Sequence, residues 1–192
     1  MSLHSNLAKL RKSCIPPFTY TTNFVEERLE QLRDRVTSQP FMDAIEQENP
    51  VNLYLYAADA NRANMRRVCM AVGLVAKALC LRGQKIVHCT LAGMLREIRF
   101  NEMEREQHSF NPVMEHIGTG YIAIGDFLEF TDVEQKYGYH AVQLVADYLA
   151  THLQSGGGLI LGAAQIERGG AYQFGSFFGE MLEERFESFR IE

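Results

Sequence analysis

The chain has no tryptophan and only five prolines and four cysteines in 192 residues. What is missing narrows its class before any motif is sought. No apolar run reaches the roughly 20 residues that a membrane-spanning helix needs. The opening MSLHSNLAKLRKSC carries charge but no apolar h-region, so it does not resemble a secretory signal. With no targeting segment evident, the cytoplasm is the expected compartment. The cysteines (Cys14, Cys69, Cys80, Cys89) form no CxxC pair, and the six histidines are scattered without an HExxH. Structural zinc and thioredoxin-type chemistry are therefore disfavoured, and buried, reduced thiols are expected. No metal site is expected.

What is present is an ordinary globular balance, 46% apolar and 22% charged, in a length that supports one core. The net charge of −5 is uneven. Residues 51–99 sum to +6 and residues 101–192 to −10. Such asymmetry suits a solvated surface, head-to-tail contact between like subunits, or a local basic face on nucleic acid. The basic candidates are Arg62, Arg66, Arg67, Lys77, Arg82 and Lys85.

An N-terminal arm over 1–23 holds Ile15-Pro16-Pro17, which dictates an extended or turning path. One domain follows over 24–192. Helices are expected at about 24–36, with acids in the first turn, and at about 40–48. Val51–Tyr56 reads as a buried strand, 57–64 as a polar turn, and 65–82 as a helix closed by Gly83. Residues 85–90 form the next strand and 91–100 a helix. After a charged loop or irregular helix over 101–112 come a strand at 121–125 ending in Asp126 and Glu129, a helix at 133–154, and the glycine turn 156–158. A strand at 159–163, a helix at 176–186 and a short strand at 189–191 complete the chain. This βαβα order predicts an α/β fold, three-layer and P-loop NTPase-like, with a mainly parallel sheet, right-handed crossovers and flanking helices.

In such folds phosphate sits beyond the carboxyl end of the first strand. Glycines let backbone N–H groups wrap it, a lysine neutralises it, and a hydroxyl helps hold magnesium. Here that loop is Ala57-Ala58-Asp59-Ala60-Asn61-Arg62-Ala63-Asn64. It has no glycine, lysine, serine or threonine, and Asp59 adds negative charge where phosphate would lie. The Cβ atoms of Ala57, Ala60 and Arg62 impede the required backbone turn. Gly118-x-Gly120 precedes a strand and so is no dinucleotide loop. His88, inside a strand, reads as core rather than catalytic.

Five segments in order, IPPFTYTTNFVEE, LYLYAADANRANMRRVCMAVGLVAKALCLRGQKIVHCTLAGMLREIR, YIAIGDFLEF, GGGLILGAAQIE and FGEMLEERFESFRI, resemble the DnaC/IstB-type AAA+ family of replication helicase loaders and transposition helper ATPases. The resemblance runs from about residue 15 to 191, with no single motif intact. It places the P-loop lysine position on Ala63 and the following hydroxyl on Asn64. The first Walker B acid falls on Gly125 or, after a one-residue slip, on Asp126, with Glu129 as a further acid. The sensor-1 position falls on Gln165 and the arginine finger on Arg185, whose bland alternative is a surface pair with Glu183, Glu184 or Glu187. The resemblance implies a degenerate phosphate loop (Ala57, Ala60, Arg62, Ala63, Asn64) with ATP and magnesium binding lost or very weak. It also implies that the family's separate helicase-binding domain is missing or shortened.

The expected function is that of a non-ATPase adaptor or regulator in DNA replication, helicase loading or mobile-element biology. Its expected partners are a replicative helicase, a related AAA+ loader or a second copy of the chain. Two alternatives stand beside it. One is a divergent but active ATP-dependent helicase loader, with Arg62, Arg66 or Lys77 replacing the lysine. The other is a nucleotide-independent DNA-binding module.

Overall fold

A computed structural model describes residues 3–20, 27–47, 49–57, 59, 61–103, 120–128, 138–163 and 176–191. The elements, in chain order, are α1 (Leu3–Lys12), a 3-10 turn (Pro17–Thr19), α2 (Glu27–Val36), α3 (Gln39–Glu46), β1 (Asn52–Tyr56), α4 (Arg62–Leu81) and β2 (Ile86–Cys89). They continue with α5 (Leu91–Met103), β3 (Tyr121–Leu128), α6 (Tyr139–Gln154), β4 (Gly158–Ala163), α7 (Ser176–Arg185) and β5 (Phe186–Arg190).

The five strands form one sheet in the order β2-β3-β4-β1-β5, and every neighbouring pair is parallel. Alternation along each strand divides the core in two. On one face Leu53, Leu55, Tyr121, Ala123 and Ile160 pack under α4, with α1 to α3 outside it. On the other, Tyr54, Val87, Ile122, Ile124 and Leu161 pack under α5, α6 and α7. The result is a three-layer α/β fold with a parallel, P-loop-like sheet. Among the described residues no helix is long and apolar enough to cross a membrane.

α4 is the spine of its layer. Val68, Val72, Val75 and Leu79 recur at helical spacing toward the sheet, but the run from Ala71 to Ala76 is buried all round. The N-terminal segment covers its outer side. Leu10 and Ile15 join the same core, Thr19 is fully buried, and a Cβ at Gly73 would lie 2.8 Å from the Thr19 methyl. The Lys77 ammonium fastens this cover by donating to the carbonyls of Thr19 (2.7 Å) and Tyr20 (3.1 Å).

The residues expected to form an arm thus begin with a helix, α1, that docks on α4. α4 starts at Arg62 rather than 65, because Asn61 caps it within what reads as a polar turn. β3 continues past Gly125 to Leu128 through an irregularity in its pairing with β4: Ile124 opposes Leu161, yet Leu128 opposes Ala163. The last strand is Phe186–Arg190, not 189–191, and pairs with β1 along its whole length. In the glycine turn, Gly156 has φ +86°, while Cβ atoms at Gly157 and Gly158 would strike the His152 and Tyr121 rings.

Candidate functional site

α4 leaves the carboxyl end of β1 to cover one face of the sheet, whereas the chain leaving β4 returns through α7 on the other. β1 and β4 are neighbours, so their carboxyl ends flank a topological switch point, the place where open α/β sheets hold ligands. Ala57 closes the strand end there. It is buried, and its N–H donates to the Ala163 carbonyl at 3.2 Å.

The start of α4 is stitched to itself. The Asn61 side chain accepts from the Asn64 N–H at 2.9 Å. The Asn64 side chain is buried and donates to the Asp59 carbonyl at 3.1 Å. That carbonyl also accepts from the Asn61 N–H at 2.9 Å. A helix start that holds phosphate leaves such N–H groups pointing at the ligand. Here a side chain of the loop itself occupies one. Arg62 and Ala63 are exposed on the first turn, with Arg66 and Arg67 exposed one turn on. Ala60 and Gln165 lie outside the described residues, as does Glu129.

On β3, Gly125 sits beneath α4. Its carbonyl accepts from the Cys69 thiol at 3.1 Å, and a Cβ at Gly125 would meet the Cys69 backbone at 3.3 Å. At Gly162, on β4, a Cβ would fall 2.6 Å from the Gly125 carbonyl and 2.8 Å from Val68. A carboxylate side chain at 125 would therefore press α4 off the sheet. The irregularity after Ile124 carries Asp126 toward the next helix instead. Asp126 Oδ1 accepts from the Leu91 N–H at 2.7 Å, where a carboxylate suits the positive end of α5. Asp126 and the loop after β1 thus share the carboxyl edge of the sheet.

Arg185 lies at the opposite edge. It is the exposed last residue of α7 and lines a cleft of about 410 Å³ with Asn49, Asn52 and Glu187. Among the described residues it has no ion pair. Glu187, one of its possible carboxylate partners, is held instead by Arg35. Asn52 ties the region together, accepting from the Leu159 N–H at 2.8 Å and donating to the Arg185 carbonyl at 3.5 Å.

The six basic candidates do not form one face. Arg62, Arg66 and Arg67 stand at the start of α4, while Arg82 and Lys85 follow its end. A 20-residue helix separates them by about 30 Å, several times the ~8–10 Å screening length of physiological salt. Lys77 belongs to neither group, since its charge is spent on backbone carbonyls and burial lowers its pKa.

All four thiols are free: Cys80 is buried, Cys69 and Cys89 are half-buried, and Cys14 is exposed, contrary to the expectation that all would be buried. Burial first, and then Glu97, Asp126 and Cys14, push the Cys89 thiol far above its ordinary range. Burial and then Glu97 push Cys14 up as well. Both shifts lower the share of reactive thiolate at neutral pH. Among the described residues no group of His, Cys, Asp and Glu is arranged to hold a metal ion.

Sequence reasoning placed the loop, Asp126 and Arg185 without seeing Asn61 as a cap or Leu91 as Asp126's partner. Asn ahead of a helix is a readable capping signal. The Asp126–Leu91 bond spans 35 residues and leaves no local trace. No protein-family model matches the chain, and no characterised protein matches it in sequence.

Proposed function

We propose that this chain is a non-ATPase adaptor or regulator, a degenerate relative of the DnaC/IstB-type AAA+ proteins that acts in DNA replication, helicase loading or mobile-element biology. It docks on a replicative helicase, an active AAA+ loader or another copy of itself. The observation that carries this reading is the self-capped start of α4, where Asn61 takes the amide that a phosphate would otherwise occupy.

The magnitudes favour the cap. Displacing it costs about 1 kcal/mol. The ligand would then need charge-assisted bonds, each worth about 1.5–3 kcal/mol, from a loop that supplies neither lysine nor hydroxyl. Asp126, an acid at this edge, already serves the α5 amide. Arg185, in contrast, is exposed and has no ion pair among the described residues, as a residue that completes a neighbour's site requires.

Calorimetric titration of the folded chain with ATP and magnesium, up to millimolar nucleotide, tests the reading. No heat of binding is expected. Micromolar affinity would overturn it and restore an ATP-dependent loader.

A further inference from the structure

We draw no further inference here: the strongest candidate, the patch of exposed arginines Arg62, Arg66 and Arg67 on the first two turns of α4, rests on a helix N-terminus, and nothing in the structure shows what anion would cover it.

Discussion

At the scale of single residues, the sequence carries meaning that only packing reveals. Gly125 reads as a lost acid, yet its lack of a side chain is what lets α4 settle within bonding distance of the sheet through Cys69. His88 is another such case. Its backbone N–H donates to the Ser13 carbonyl at 2.9 Å, and its ring Nε2 is buried without a hydrogen-bond partner among the described residues. Desolvation lowers its pKa from 6.5 to about 4. The folded ring is therefore neutral over a range in which the unfolded ring gains a proton. The resulting stability is complete above pH 6.5 and is lost as pH falls toward 4. A shift of that size corresponds to roughly 3 kcal/mol. Urea midpoints at pH 7 and pH 4.5 should fall further for the parent than for His88→Leu, by a margin equivalent to about 2–3 kcal/mol. Equal falls would show that His88 is accessible to protons in the folded state.

At the scale of elements, what was legible followed from periodicity and what was not followed from contacts. The βαβα order and the apolar runs NLYLY, YIAI and LILGA gave a parallel sheet, and five parallel strands are present. Boundaries failed where a polar side chain changed the local rule. Asn61 starts α4 three residues before the first apolar position expected of it. Asp126 extends β3 beyond the glycine that looks like its end. α1 was missed because LHSNLAKLRK, polar and short, becomes stable only by placing Leu10 against α4. Of the site, the loop's lack of glycine and lysine was plain in the sequence, while its self-capping was not. Asn61→Ala should cost about 1 kcal/mol by urea unfolding, and Asn61→Asp should keep most of that stability. If Asn61→Ala is neutral, the Asn64 amide finds another partner, and the observation that carries the adaptor reading fails with it.

At the scale of the molecule, α4 is enclosed by the sheet on one side and the N-terminal segment on the other. This explains why a helix exposed at both ends is buried all round in its middle. Leu10 and Ile15 are each almost wholly buried there. Each contributes about 1.5–3 kcal/mol by burial, against a typical total of only 5–15 kcal/mol for a domain. The segment is thus structural, although sequence alone marks it as an arm. Removing residues 1–20 should lower the urea midpoint sharply and expose apolar surface that binds a hydrophobic dye. Lys77→Met, which removes the tether to Thr19 and Tyr20 but keeps the stem, should instead leave global unfolding nearly unchanged and speed amide exchange at Thr19 and Tyr20. If truncation leaves the midpoint where it was, the sheet and its helices stand without the segment. The N-terminal segment would then be a detachable feature rather than part of the domain.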